Sequence, residues 1–269
     1  MKELQDYLKK NFKKNYSEAG KLMKLSFEPI GRLEQKLLIV GSEHGDKPFG
    51  TKAMARLMKE LKEMPLLKTQ VDFIPVIDMK GYPSCRTIIG DEGLGRPMYL
   101  DGGYRSKDVP EEIKDLMKQL TQEYDMAVQL NAVFREEAPL MNGYFAIPQV
   151  KAVVNDGKQI IKIHPGVKDV VGSVINAVKE AGFDLLTRSD KGHVGDGHVL
   201  YAEGLVLPGF KDGEKVEFRT RNAFALTCEN KGLSAVILYA LSAGFGTLND
   251  DAVNAHKAAL DALVRLYEK

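Results

Sequence analysis

The chain has 269 residues, 44% of them hydrophobic, and its 38 basic and 37 acidic side chains leave a formal charge of +1. That length and apolar content suit a globular α/β protein with a continuous core. A charge so close to zero excludes a global field that would draw in nucleic acid or an anionic membrane, so a partner is expected to be read by a local site.

The N-terminus, MKELQDYLKKNFKKNYSEAG, is charged throughout and carries no apolar run of the signal-peptide kind. No stretch approaches the ~20 apolar residues of a transmembrane helix. These features are read as those of a cytoplasmic protein. Leu4, Tyr7, Leu8 and Phe12 recur near helical spacing, which predicts a short amphipathic helix within about residues 1–20. A strand is expected next, with a turn at Pro29. Leu37 to Val40 reads as a buried strand running into a glycine-containing loop. After Pro48, a residue suited to a first helical turn, Met54, Leu57, Met58 and Leu61 mark a helix. A second apolar strand, VDFIPVID, follows. Strand, helix, strand at this spacing implies a right-handed crossover and a mixed, mainly parallel central sheet flanked by helices.

Gly81 to Arg105, rich in Gly, Pro and polar residues, reads as a long loop of functional character. Val109 to Glu123 is expected to be a helix, with Asp108 as cap and Pro110 in its first turn. Tyr124 to Val133 is expected to be a central strand. Beyond it, Val170 to Ala181 reads as a helix ending at Gly182, YAEGLVLPGF as a strand and AFALTCEN as another. Leu233 to Gly244 and Asp250 to Tyr267 read as helices. With no repeat and no low-complexity linker, residues 1–269 are expected to form one domain. The two cysteines, Cys85 and Cys228, make no metal-type pair and read as reduced thiols.

Several motifs lie along these elements in a telling order. Gly41-Ser42-Glu43-His44-Gly45-Asp46-Lys47-Pro48 occupies a strand end before a helix, where open α/β sheets gather their ligands. Pro75-Val76-Ile77-Asp78-Met79-Lys80-Gly81-Tyr82 closes the next strand, with Arg86 shortly after. Tyr99-Leu100-Asp101-Gly102, Pro110-Glu111, Gln129-Leu130-Asn131 and Thr227-Cys228-Glu229 follow. In this order the chain resembles the zinc carboxypeptidases, including their succinylglutamate desuccinylase and aspartoacylase branch, over roughly residues 25 to 267. The resemblance implies a phosphorylase/hydrolase-like α/β fold and zinc chemistry on a peptide or acyl-amino-acid amide bond.

Residue by residue, the match is uneven. His44 stands at the first zinc-ligand position. Lys47 stands at the second, where an ammonium has no lone pair to give a cation. Asn131 stands at the third, where an amide oxygen is a weak zinc donor beside imidazole or thiolate. Arg86 matches the arginine that polarises the scissile carbonyl, a task suited to a permanently charged guanidinium. Glu229 matches the general base, although a buried glutamate also suits a salt bridge to Lys47 or Arg86. Asp101 and Gly102 replace the family's carboxylate clamp, for which Arg96 or Arg105 can substitute. Arg86, Asp101, Arg105 and Tyr144 are the candidate substrate-binding residues, and Lys47 and Asn131 line the expected pocket. His193, Asp196 and His198 form a separate cluster of metal-ligand types, while His164 and His256 read as structural.

Two functions remain open from these residues. One is a hydrolase, using a metal held by His44 with an unusual ligand set, Glu229 as base and Arg86 at the oxyanion. The other is a metal-free pseudoenzyme in which Lys47 pairs with Glu229 and the pocket holds a peptide end or acylated amino acid without cleaving it.

Overall fold

The computed structural model describes residues 2–42, 48–77, 111–120, 124–134, 143–155, 158–187, 198–208, 224, 228, 232–242 and 250–269. In chain order the elements are α1 (Lys2–Asn11), β1 (Tyr16–Ala19), β2 (Leu22–Phe27), β3 (Gln35–Ser42), α2 (Phe49–Glu63) and β4 (Thr69–Val76). Then come α3 (Glu111–Gln119), β5 (Met126–Phe134), β6 (Phe145–Pro148), β7 (Val150–Asn155), β8 (Lys158–Ile163) and α4 (Pro165–Glu180). The chain closes with β9 (His198–Ala202), β10 (Leu205–Pro208), β11 (Ser234–Ser242) and a last helix, here α5 (Asp250–Tyr267).

Nine strands form one sheet in the order β1-β2-β4-β3-β5-β11-β6-β10-β9, and β7 pairs with β8 apart from it. The centre, β4-β3-β5-β11, is parallel throughout. The expectation of a mainly parallel sheet is corrected here: among the described residues, β1/β2, β2/β4, β6/β11, β9/β10 and β7/β8 are antiparallel, so antiparallel pairs outnumber parallel ones. The parallel part needs crossover helices, and the edges are built from short connections that return the chain directly.

The sheet is covered on both faces, which is why its central strands read as nearly continuous apolar runs. On one face Leu37, Ile39, Val128, Leu130, Val236 and Leu238 meet residues of α2, α4 and α5. On the other, Leu38, Val40, Ala127 and Ile237 meet Leu116 and Leu120 of the α3 segment, together with Phe224 and Cys228.

Four local expectations are also corrected. The N-terminal helix is confined to Lys2–Asn11, and residues 16–19, read as helix within 1–20, are strand β1. YAEGLVLPGF is a hairpin, with Gly204 at φ 68 between β9 and β10. Leu233 to Gly244, read as a helix, holds β11. AFALTCEN, read as a strand, is helical at Phe224 and Cys228, two buried side chains one helical turn apart. Leu233 N–H closes back on the Cys228 carbonyl at 2.8 Å beside Gly232 at φ 70, the bond pattern that ends a helix. The β11 misreading has a physical cause: a short apolar run covered on both faces carries no periodicity that separates helix from strand.

Candidate functional site

β3, β4, β5 and β11 run in the same direction, so their carboxyl ends share one edge of the sheet. From β3 the chain crosses through α2 to β4 on one side, then through α3 to β5 on the other. The reversal lies between β3 and β5, and a crevice at such a point is where open sheets take ligands. β3 ends at Ser42, two residues before His44, and β4 ends at Val76. His44, Asp46, Lys47, Arg86, Arg96, Asp101, Arg105, His193, Asp196 and Glu229 lie outside the described residues.

The joint beneath this edge is tightly built. An added Cβ on Gly41 would stand 2.3 Å from the Pro75 carbonyl oxygen, so only glycine lets β3 approach β4 there. The same carbonyl accepts the buried Thr51 hydroxyl of α2 at 2.5 Å. The last turn of β3, the end of β4 and the start of α2 are therefore held to one another where the His44 loop begins and ends.

Asn131 lies within β5, which runs to Phe134, one residue past the end expected at Val133. Strand alternation puts its side chain on the α3 face with Ala127. It is nearly buried, and its Oδ1 accepts the Ala132 N–H at 2.9 Å. Its backbone carbonyl accepts from Nε2 of His256 on α5 at 2.8 Å, while His256 Nδ1 lies 3.2 Å from the Tyr144 hydroxyl. A carbonyl can only accept, so Nε2 carries the proton and Nδ1 accepts from Tyr144. Burial lowers the His256 pKa to about 4, with the Asn131 bond opposing that shift, so the ring is neutral at physiological pH. Burial alone pushes the Tyr144 phenol well above its ordinary range. His256 thus has the structural role read from sequence.

Tyr144, a candidate substrate-binding residue, is 3% exposed and belongs to the helix-covered core opposite the α3 face. It also lines a cleft of about 280 Å³ with Asp184, Leu241 and Asp251. The structure brings Tyr144 to Asn131 only through His256.

One neighbour of Asn131 was not legible in sequence. Tyr239 of β11 is in register with Asn131 on one side and with Phe145 on the other, and its ring stacks on Phe145 at 4.8 Å and 6°. Reading β11 as a helix hid this alignment. Cys228 is fully buried, and burial raises its thiol pKa to about 12, so it is no nucleophile at neutral pH.

At the three positions matched to zinc ligands the donor set is one imidazole, one ammonium and one carboxamide, and the carboxamide oxygen already accepts a peptide N–H. That set does not fit zinc. Among the described residues no group of three His, Cys, Asp or Glu side chains could hold a metal ion.

No family model matches the chain, and no curated protein matches it in sequence. Solved structures do match its fold. A candidate metallopeptidase from Shewanella amazonensis SB2B superposes with a TM-score of 0.62 at 13% identity, covering 98% of this chain and 91% of that one. A second, from Shewanella denitrificans OS217, gives 0.60 at 15% identity, over 98% and 88%. Apo Csd4, a cell shape determinant protein of Helicobacter pylori, gives 0.60 at 18% identity. The fold is carboxypeptidase-like. The match covers 91% of this chain but 54% of Csd4, so the chain spans about half the length of that protein. Csd4 is described as a D,L-carboxypeptidase and has been crystallised with a tripeptide and with mDAP. Among the described residues no helix is long and apolar enough to cross a membrane.

Proposed function

We propose that this chain is a carboxypeptidase-like hydrolase that receives a peptide end or an acylated amino acid at the carboxyl edge of β3, β4, β5 and β11. One observation carries the reading: in a peptidase-like fold, β3, β4, β5 and β11 run parallel and β3 and β4 end side by side at the sheet's reversal point, with His44 and Lys47 next in sequence after β3 and Arg86 after β4. In this scheme Arg86 faces the scissile carbonyl oxygen and Arg105 holds a substrate carboxylate, with Asp101 completing the ligand contacts, while the Tyr144 hydroxyl serves His256. Glu229 takes a proton from water as the water oxygen bonds to the carbonyl carbon. Negative charge collects on the carbonyl oxygen opposite Arg86. As the C–N bond breaks, the Glu229 proton passes to the leaving nitrogen, which restores the carboxylate.

The second reading is a metal-free binding protein with the same ligand classes. The engaged, nearly buried Asn131 amide favours it, because loss of a ligand removes the cheapest route to an activated water. In this reading the Lys47 ammonium neutralises Glu229, and peptide ends bind without turnover.

Calorimetric titration with mDAP, a short tripeptide and N-acyl amino acids, run beside an amide-hydrolysis assay and metal analysis, tests both. Binding that Arg86→Ala abolishes is expected. Hydrolysis lost in Glu229→Gln supports the first reading, and binding without hydrolysis supports the second. Stoichiometric zinc that disappears in His44→Ala would overturn the metal-free scheme, and absence of binding to every probe would overturn the common pocket.

A further inference from the structure

The α3 face of the central sheet is closed by buried side chains until it nears the carboxyl edge. Gln129 of β5, Ile237 of β11 and Ile147 of β6 lie in register across the sheet and are 0%, 0% and 7% exposed. Two residues further toward that edge, the same face carries Asn131 and Tyr239 with Phe145 beside them on β6. Tyr239 is part-buried, whereas every other side chain from Ala235 to Ala240 is buried. This level lies three residues before the ends of β5 and β11, about 10 Å below the strand ends. It is the floor of the α3 face beneath the candidate site.

The floor is polar, and packing sets its geometry. The Tyr239 ring lies flat on Phe145, with centroids 4.8 Å apart and planes 6° from parallel, so its direction is fixed before any ligand arrives. Asn131 Oδ1 accepts the Ala132 N–H, and the other end of that carboxamide, Nδ2, can only donate. A phenol hydroxyl donates as well. Tyr144 has no part in this floor. It belongs to the opposite, helix-covered face, and its hydroxyl serves His256.

We propose that Tyr239 is the aromatic residue that touches the ligand: with Asn131 it receives the most deeply inserted group, a short side chain ending in a carboxamide or carboxylate oxygen. This rests on the reading that ligands enter at the carboxyl edge. Two donors side by side at the end of a crevice match an oxygen acceptor. A hydrocarbon of the same shape would leave both donors facing an apolar group, and a site built to hydrogen-bond discriminates strongly against an isostere that cannot reply. Tyr239 therefore determines specificity and takes no part in proton transfer.

Calorimetric titration with N-acetylasparagine and its near-isostere N-acetylleucine tests this. The native chain should favour the asparagine compound by at least about tenfold. Tyr239→Phe keeps the stacked ring, so it should remove most of that preference while leaving the thermal midpoint and the leucine affinity unchanged. No preference in the native chain, or a preference that survives Tyr239→Phe, overturns the role of Tyr239 alone. Binding of neither compound removes the pocket at this edge, and the inference with it. Nitration of the native chain with tetranitromethane, read by peptide mass mapping, gives a readout that needs no variant. N-acetylasparagine should protect Tyr239 and leave Tyr201, 68% exposed on β9, unprotected. Tyr239 nitrated equally with and without the compound, or closed to the reagent in the free chain, overturns the proposal.

Discussion

Asn131 serves different partners with its main chain and its side chain, and that division governs how its neighbours respond to pH and substitution. Its carbonyl is held by His256, whose other nitrogen takes the Tyr144 hydroxyl. Because burial lowers the folded pKa of His256 from 6.5 to about 4, the unfolded chain binds a proton that the folded chain does not. The resulting stability is fully present above the unfolded value and is lost as pH falls from 6.5 toward about 4, by roughly 3 kcal/mol. Urea unfolding at neutral pH and near pH ~4.5 should show that loss, and His256→Gln should flatten it. Tyr144→Phe is expected to cost about 1 kcal/mol by removing the donor to Nδ1. If instead it leaves stability unchanged and weakens peptide binding, the hydroxyl belongs to the ligand. That His256 is structural could be seen from its place in an apolar helix; its link to Asn131 could not, because β5 and α5 are far apart in sequence.

The β3 end and the start of α2 show how an element can be legible while its joint is not. Gly41 reads simply as a glycine before a loop, yet the reason for it is the Pro75 carbonyl on the neighbouring strand. Gly41→Ala is expected to cost about 2 kcal/mol, read as a lower urea midpoint, because the obstructing atom is backbone and cannot turn away. β7 and β8 were within reach of sequence: the Asp156-Gly157 pair between two β-rich runs is a hairpin signal. β11 was not. Its nine residues, SAVILYALS, are apolar at nearly every position because both faces are covered. Nothing local says whether that run coils or extends. The choice is made by the gap between β5 and β6 that it fills, and the α5 helix then follows β11 rather than the Thr227-Cys228-Glu229 segment.

Across the whole molecule, buried charge ties the antiparallel flank to the parallel centre. Lys24 of β2 and Asp72 of β4 pair at 2.7 Å, with Asp72 1% exposed and also bonded by Tyr124 and Gln70. Burial alone would raise the Asp72 pKa, but these hydrogen bonds and the lysine charge outweigh it and hold the carboxyl below its ordinary value. Its stabilising effect is thus present above the ordinary carboxylate range and is lost as pH falls through it. Lys24→Met should destabilise by about 3–5 kcal/mol in denaturant unfolding, and Lys24→Met/Asp72→Leu should recover most of the loss.

The sequence by itself determined the kinds and order of most of the described elements and pointed to a carboxypeptidase-like fold. Those features rest on local periodicity, capping and residue chemistry. Only the tertiary structure decided that antiparallel pairs outnumber parallel ones, that β11 lies beside β5, and that Tyr239 stands level with Asn131. Each of these depends on which distant segments pair, and pairing is selected by burial on both faces of a sheet, which a single strand's residues do not encode.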